Sequence, residues 1–373
     1  MVYRWFWLLL PCVLLPADDG QRLLRVDHYV RVRSVAPSMH GQTSQVYVRE
    51  VVQAGAALRG GTAGENRVIL FIHGAGTPAE VAFDVPYRDY SWMAYLAKAG
   101  YDVFAMDMTG YGRSTRPGPM NDPCLLSKEQ QVQFVAKPCA ESASSPERAT
   151  TIESDWNDID GVVEYLQKLR GVAKLNLVGW SLGGPRAGGY AAQHPENVSR
   201  LALLAPAYPR AAGGGSPPAP MLSAPFNTQS RAEFDANWDR QLGCPDQFDM
   251  AARESVWAEM LAADPVGATW GTGVRRAPNV AAGGKGWNAD VVSKMRIPAL
   301  FVSAVHDKQA LPEGVRRLHA DYGAPEKIFL DLGCTSHNAL WERNHLLLFQ
   351  ASLEWFSKGT IGGSKSGEAR LGY

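Results

Sequence analysis

The segment GWSLG (residues 179–183) contains the residue with the clearest potential for chemistry. It follows the apolar segment 174–178 and precedes an Ala- and Gly-rich helical pattern. A serine at a tight strand-to-helix turn projects its hydroxyl away from the sheet, where it can attack an acyl carbon. The two glycines lack a Cβ, so the strand and the helix can approach each other closely. The spacing therefore predicts Ser181 as a nucleophile.

A serine hydroxyl is a weak nucleophile at neutral pH and needs a base. Of the eight histidines, His337 alone lies on a short loop between the last predicted strand and the terminal helix. Asp307 follows the preceding predicted strand, whereas Asp331 lies inside the last one and is predicted to be structural. A carboxylate beside the histidine orients the imidazole and stabilises its protonated form. We therefore expect Ser181, Asp307 and His337 to form a catalytic triad.

Acyl transfer also requires two backbone N–H groups that bind the developing oxyanion. We expect one from Leu182, directly after the nucleophile. The other is expected from HGAG (residues 73–76), which follows an apolar segment. Ala75 is the predicted donor and Gly76 the alternative. Trp180 either walls the substrate pocket or packs beneath the helix.

The elements that position these residues are short apolar segments alternating with helical patterns. Such alternation is typical of a mostly parallel sheet flanked by helices. The predicted strands are residues 28–33, 45–52, 67–72, 102–106, 174–178, 201–204, 299–302 and 327–332. The predicted helices are residues 91–99, 152–169, 182–193, 313–322 and 344–356.

Two segments interrupt the alternation and divide the predicted α/β core into residues 20–207 and 291–358. Residues 116–149 are rich in Pro, Ser and Cys and are predicted to be an irregular insertion. Residues 208–290 hold two helical patterns and are predicted to be a cap inserted after strand 6. The cap's aromatic residues indicate an apolar or aromatic acyl pocket, or else ordinary core packing. The Gly- and Lys-rich residues 359–373 are predicted to be a flexible tail.

Together these motifs resemble the α/β-hydrolase superfamily over roughly residues 46–356. HGAG resembles the oxyanion loop of that family, and GWSLGG resembles its nucleophile elbow. DMTGYGRS (residues 107–114) resembles its D-x-x-G-x-G-x-S turn, and SHNALWE (residues 336–342) its histidine loop. The resemblance implies an eight-stranded sheet and a reaction without a cofactor.

The resemblance is strongest to capped esterases, lipases and related small-molecule hydrolases. It implies cleavage of a carboxylic ester through an acyl-enzyme, and the aromatic content of the predicted cap favours an apolar or aromatic substrate. Amide, peptide or C–C bond hydrolysis on the same triad is the alternative, as is a non-catalytic ligand-binding role. Ser181 argues against haloalkane dehalogenases and epoxide hydrolases, which use Asp as the nucleophile.

The composition excludes several other functions. The chain has 373 residues, 46% of them apolar, with 37 basic and 37 acidic side chains. Without a basic stripe, nucleic acid is not an expected partner. Beyond the N-terminal segment, no apolar run reaches the roughly 20 residues needed for an integral membrane span. No His/Cys cluster has zinc-ligand spacing, so no metal is expected. The sequence leaves the oligomeric state open.

The N-terminal residues 1–19 combine Arg4 with a short apolar run, as in an export signal. They predict a secreted or periplasmic protein, with a cytoplasmic one as the alternative. Cys124 and Cys139 bracket a short polar loop, so they form either a disulfide in an oxidising compartment or two unpaired thiols. Cys334 is predicted to be a small buried residue, with a redox-sensitive thiol as the alternative.

Overall fold

The computed structural model describes residues 21–55, 64, 66–135, 139–140, 148–209, 224–270, 275–278, 280 and 284–373. The predicted export signal lies outside the described residues. Residues 210–223, the Gly- and Pro-rich start of the predicted cap, also lie outside them.

Eleven strands occur among the described residues. They are β1 (Leu23–Arg33), β2 (Thr43–Gln53), β3 (Val68–Ile72), β4 (Asp102–Met106), β5 (Leu175–Trp180), β6 (Val198–Leu204), β7 (Phe226–Gln229), β8 (Arg275–Pro278), β9 (Ala299–Ala304), β10 (Lys327–Leu332) and β11 (Gly367–Leu371). Nine of them form one sheet in the order β1-β2-β4-β3-β5-β6-β9-β10-β11, while β7 and β8 pair separately. Within the large sheet β2 runs opposite to the other eight strands, so its pairings with β1 and β4 are antiparallel and the remaining pairings are parallel. The prediction of a mostly parallel sheet is confirmed.

Ten α-helices occur in the described part of the chain, in addition to short 3-10 turns. They are α1 (Ala79–Phe83), α2 (Trp92–Lys98), α3 (Lys128–Phe134), α4 (Ile152–Arg170), α5 (Gly183–Gln193), α6 (Arg231–Asp239), α7 (Met250–Ala262), α8 (Ala289–Val292), α9 (Pro312–Asp321) and α10 (His345–Lys358). Among the described residues, no helix is both long and apolar enough to cross a bilayer.

The strands at the centre of the sheet are buried on both faces because helices cover both. In β3, Phe71 belongs to one buried cluster, whereas Leu70 and Ile72 belong to another. This division follows from the strand geometry, in which successive side chains point to opposite faces. Helices α2 and α10 supply the first cluster, and α4, α5 and α9 supply the second. The continuous apolar runs of the sequence are thereby explained.

The prediction of a flexible tail at residues 359–373 is wrong. Helix α10 ends at Gly359, and β11 pairs in parallel with β10. The sheet therefore has nine strands rather than eight. Beyond β11, Tyr373 Oη donates a hydrogen bond to Asp331 Oδ2 at 2.7 Å. Because β11 is an edge strand whose side chains remain largely exposed, its sequence lacks the apolar pattern that reveals a buried strand.

The segment between β6 and β9, predicted to be a cap, contains α6, α7 and the β7–β8 pair in its described part. Helix α6 begins with a capping box between Ser230 and Glu233. Trp238 of α6 is fully buried and lies 5.8 Å, ring to ring, from Trp341, which belongs to the histidine loop. This inserted segment (residues 208–290) therefore packs on the part of the chain that carries His337.

Two disulfides occur among the described residues. Cys124 and Cys139 are bonded within the predicted insertion, whose described part also contains α3. Cys244 of the inserted segment is bonded to Cys334. The prediction that Cys334 is merely a small buried residue is wrong, because the fold brings together two cysteines that are 90 residues apart.

Candidate active site

Ser181 lies at the turn between β5 and α5 with its backbone in the left-handed region, at φ 58°. Its N–H donates to Leu204 O at 2.9 Å, and its carbonyl accepts from Gly184 N at 2.9 Å and Ala207 N at 3.0 Å. A non-glycine residue persists in this region only where the surrounding structure holds it there. These three hydrogen bonds supply that restraint.

The glycines on either side of Ser181 are required by close backbone approaches. A Cβ on Gly179 would overlap the carbonyl of Gly183, and a Cβ on Gly183 would overlap the carbonyl of Ile72. A Cβ on Gly74 would lie 2.9 Å from Ser181 Cβ. The sheet, the turn and the HGAG loop therefore pack together directly beneath the serine.

His337 lies on the loop between β10 and α10, and Asp307 follows β9. His337 Nδ1 lies 2.8 Å from Asp307 Oδ2. Asp307 Oδ1 accepts hydrogen bonds from Gln309 N at 2.7 Å and Ala310 N at 2.8 Å. Both side chains are buried. An Nδ1–H that donates to the carboxylate leaves Nε2 as the proton acceptor of the imidazole.

Ser181 and His337 line the same cavity, whose volume is about 140 Å³. Ala75 and Trp180 also line it. The predicted nucleophile Ser181, the predicted base His337 and the predicted oxyanion donor Ala75 therefore line one cavity. In the described part of the chain, no group of three or more His, Cys, Asp or Glu side chains is placed to hold a metal ion.

The two predicted oxyanion donors have no hydrogen-bond acceptor among the described residues. Neither the N–H of Ala75 nor that of Leu182 donates to protein there. The N–H of Gly76, the alternative donor, instead faces Tyr111 Oη at 3.5 Å. Among the described residues, the N–H of Gly76 therefore has a partner and that of Ala75 has none.

A fully buried arginine holds the HGAG loop in place. Arg186 donates to the carbonyls of His73 at 3.0 Å and Gly74 at 3.1 Å, and its Nε pairs with Asp155 at 2.7 Å. His73 Nδ1 lies 2.8 Å from Gly74 O, and its Nε2 accepts from Met108 N at 3.1 Å. Burial, together with the nearby arginine, keeps the pKa of His73 well below its usual value. His73 is therefore a neutral structural residue.

The DMTGYGRS motif forms a turn that anchors the start of α1. Asp107 Oδ1 accepts from Ala79 N at 2.7 Å, and its Oδ2 accepts from Arg113 N at 2.9 Å. Ser114 Oγ donates to the Asp107 carbonyl at 2.7 Å. Burial raises the pKa of the Asp107 carboxyl to about 6. This motif therefore fixes the start of α1, which follows the HGAG loop, and none of its residues lines the cavity.

Trp180 lines the cavity and also contacts the histidine loop. Its indole Nε1 donates to the carbonyl of His337 at 2.9 Å, and its ring packs edge-on against Trp341 at 5.1 Å. The side chain is 4% exposed and forms part of the cavity wall. Trp180 thus contacts both the pocket and the loop that carries His337.

Glu342, fully buried at the end of the histidine loop, is a residue whose role was not apparent from the sequence. It accepts hydrogen bonds from Ser336 N at 2.7 Å, Ser336 Oγ at 2.6 Å, Gln247 Nε2 at 3.0 Å and Trp238 Nε1 at 3.1 Å. Burial raises the pKa of the Glu342 carboxyl to about 7. One carboxyl therefore joins the residue preceding His337 to the inserted segment. The acidic residue in the otherwise uncharged motif SHNALWE was the available signal.

With the fold and this geometry established, comparison with known proteins gives the family. Residues 67–344 match the sequence model of the family described as the alpha/beta hydrolase fold. The chain belongs to this family.

A curated relative is a 2-hydroxy-6-oxononadienedioate/2-hydroxy-6-oxononatrienedioate hydrolase from Comamonas testosteroni. It is 26% identical over 144 residues, which are 39% of this chain. The match spans 38% of the length of that relative.

Solved structures of similar fold include two esterases and a lipase. The esterase from Thermogutta terrifontis has a TM-score of 0.52 and 15% identity, covering 89% of this chain and 98% of its own. The esterase from Rhodococcus sp. ECU1013 has a TM-score of 0.54 and 16% identity, and the match covers 88% of this chain and 98% of the esterase. The monoacylglycerol lipase from Paleococcus ferrophilus has a TM-score of 0.52 and 16% identity, covering 91% and 100%. At these identities the likeness concerns the fold alone.

Proposed function

We propose that this protein is a serine hydrolase that cleaves a small carboxylic ester through a triad of Ser181, His337 and Asp307. The observation that carries the proposal is that Ser181 and His337 line one cavity while His337 Nδ1 lies 2.8 Å from Asp307. The esterase and lipase structures of similar fold lend it support.

The proposed reaction forms an acyl-enzyme and then hydrolyses it. Ser181 Oγ attacks the ester carbonyl carbon while its proton passes to His337 Nε2. The C–O bond to the alcohol then breaks, and the alcohol leaves with that proton. Water attacks the acyl-enzyme with His337 again as the base, which releases the carboxylic acid and restores the serine. Asp307 stabilises the imidazolium at each stage, and the N–H groups of Ala75 and Leu182 bind the oxyanion.

We further propose that the inserted segment acts as a cap over the site. Phe234 of α6 and Met260 of α7 line the same cavity as Ser181. A cap that excludes water strengthens the electrostatic interactions inside the pocket. Its residues would also set the substrate preference.

C–C bond hydrolysis is the second candidate, because the curated relative is named for it. That name denotes a substrate with two carboxylate groups. His337 is the one basic side chain that lines the cavity in the described part of the chain. Burying a carboxylate without a cationic partner is costly, so the lining favours an uncharged ester.

The first experiment measures hydrolysis of p-nitrophenyl butyrate by the wild type, Ser181→Ala and Ser357→Ala. Ser357 is exposed and its hydroxyl donates only within α10, so it is a matched control. We expect turnover by the wild type and by Ser357→Ala, and none above background by Ser181→Ala. Equal turnover by all three proteins would reject the ester proposal. The absence of turnover in all three would also reject it.

We also propose that the protein works in an oxidising compartment after removal of its N-terminal segment. The two disulfides support this, since such bonds persist mainly in secreted or periplasmic proteins. Intact-mass measurement of protein from the native host, with and without thiol alkylation, tests the proposal. A full-length chain with alkylatable Cys124 and Cys334 would refute it.

A further inference from the structure

Four uncharged amide side chains line the cavity that contains Ser181. They are Gln229, Asn237, Gln309 and Asn338. None of the four side-chain amides makes a hydrogen bond to any residue that the structure describes. Gln229 Oε1 is also buried. The cavity is therefore lined in part by amide groups that make no hydrogen bond within the described part of the chain.

These amides come from four separate parts of the fold. Gln229 ends β7, Asn237 lies in α6, and Gln309 follows β9. Asn338 directly follows His337. Asn338 is buried, Gln229 and Asn237 are half-buried, and Gln309 is exposed at the cavity's edge. A buried oxygen such as Gln229 Oε1 normally has a hydrogen-bond partner, and leaving it unpaired is costly. The convergence of the four amides on one cavity indicates an occupant that offers both donors and acceptors.

The remaining lining limits the charge and size of that occupant. Among the described residues that line the cavity, His337 is the only one with an acidic or basic side chain. The volume of about 140 Å³ is close to that of a cavity known to hold one benzene molecule. Phe234, Met260 and Trp341 provide apolar surface beside the amides. The space suits a short group with mixed polarity and disfavours a long alkyl chain or a carboxylate.

We propose that the pocket selects a short, uncharged acyl group bearing a hydroxyl or keto oxygen, so the substrates are esters of small hydroxy or oxo acids. This inference rests on the proposed ester hydrolysis. The acyl part is assigned to the pocket because it stays attached to Ser181 Oγ through both half-reactions. The amides then contact it in both transition states.

Three p-nitrophenyl esters of four-carbon acids test the inference: butyrate, 3-hydroxybutyrate and hemisuccinate. They share a leaving group and differ in the polarity and charge of the acyl chain. We expect kcat/KM for the hydroxybutyrate ester to exceed that for butyrate by about tenfold. This is the factor that one or two additional hydrogen bonds to the acyl group would contribute. The anionic hemisuccinate is expected to react more slowly than either.

Substitutions of the amide residues test whether these side chains cause the preference for the hydroxybutyrate ester. Gln229→Leu and Asn237→Leu should each reduce the hydroxybutyrate-to-butyrate ratio by several-fold, because each removes amide partners while keeping a side chain of similar size. Gln350→Leu is the matched control, since Gln350 is exposed on α10 and lies outside the cavity lining. A ratio that is unchanged in the two cavity variants would overturn the inference.

Failure of this inference is distinguishable from failure of the proposed function. If turnover depends on Ser181 but kcat/KM for the butyrate ester equals or exceeds that for the hydroxybutyrate ester, the proposed hydrolase function stands. The polar acyl pocket is then rejected. If no ester reacts, the pocket can be tested alone. Ligand-observed NMR then measures how tightly Ser181→Ala binds methyl 3-hydroxybutyrate and methyl butyrate. Tighter binding of the hydroxylated ester supports the pocket, and equal or weaker binding rejects it.

Discussion

Trp180 Nε1 donates a hydrogen bond to the carbonyl oxygen of His337 at 2.9 Å. The residue next to the proposed nucleophile therefore holds the backbone of the proposed base. The turn after β5 and the loop after β10 are separated in the sheet by β6 and β9, so this bond links two elements that are not neighbours. The relative position of Ser181 and His337 depends in part on this bond.

Replacing Trp180 with Phe should lower kcat/KM for p-nitrophenyl butyrate by about tenfold, because small displacements of catalytic groups are costly. The lost hydrogen bond should also lower the free energy of unfolding by about 1 kcal/mol. Enzyme kinetics and urea unfolding measure the two effects.

Trp355→Phe is the control for Trp180→Phe. Trp355 Nε1 donates to Leu201 O at 2.8 Å and is fully buried, but it lies away from the site lining. The Trp355→Phe variant should lose a comparable amount of unfolding free energy but keep the kcat/KM of the wild type. Similar kinetic losses in both variants would show that Trp180 acts only through overall stability.

Replacing Asp307 with Asn should reduce kcat by about 10³–10⁴, because an amide does not stabilise the imidazolium and can reverse the tautomer. Asp331→Asn is the matched control, since Asp331 lies on the neighbouring strand β10 and bonds Tyr373. Steady-state kinetics with p-nitrophenyl butyrate measure both variants. A loss below tenfold for Asp307→Asn would remove Asp307 from the proposed triad.

Replacing Ala75 with Pro removes the backbone N–H proposed to bind the oxyanion. We expect kcat to fall by about 10²–10³, the usual effect of losing one such donor. Ala75→Ser is the control, because it changes the side chain but keeps the N–H. Circular dichroism verifies that both variants fold. An unchanged kcat in folded Ala75→Pro would exclude Ala75 as the donor.

Eight of the nine strands of the large sheet were predictable from local apolar patterns, and the mostly parallel order of those strands placed the candidate site residues at one edge. Residues that follow parallel strands meet at the same edge of the sheet, so a serine after β5 and an aspartate after β9 had to lie close together. The continuous apolar runs of β3 and β4 likewise identify strands buried on both faces.

The parts that were not predictable depend on contacts between distant segments. Glu342 receives two of its partners, Gln247 and Trp238, from about 100 residues earlier in the chain. Cysteine connectivity does not follow from sequence spacing, so the Cys244–Cys334 bond was missed. Strand β11 was missed because an edge strand does not need an apolar face.

The two disulfides should contribute unequally to stability. Cys244–Cys334 spans 90 residues and Cys124–Cys139 spans 15. In the chain-entropy description, the longer loop adds about 1–2 kcal/mol more to the free energy of unfolding.

Urea unfolding of the two double Cys→Ser variants measures this difference. The Cys244/Cys334 variant should also lose activity, because Cys334 lies three residues before His337 and its bond fastens the histidine loop to the inserted segment. The Cys124/Cys139 variant is its control. A larger loss of stability in the control variant would contradict the loop-length argument.

Glu342 should make the stability of the protein depend on pH. Its folded pKa of about 7 lies above the usual value of 4.5, so the folded state binds this proton more tightly than the unfolded state. The stabilisation is complete below about pH 4.5 and is lost as the pH rises through 7. Glu342→Gln cannot ionise and lacks this dependence.

The free energy of unfolding of the wild type minus that of Glu342→Gln should therefore fall between pH 5 and pH 8. A one-unit difference in pKa corresponds to about 1.4 kcal/mol, so the fall should be on the order of 1–3 kcal/mol. Urea unfolding at several pH values measures it. Glu313→Gln, an exposed substitution on α9, serves as the control and should show a constant difference. A difference for Glu342→Gln that stays constant or rises with pH would mean that the buried carboxyl is ionised throughout, held by the four donors around it.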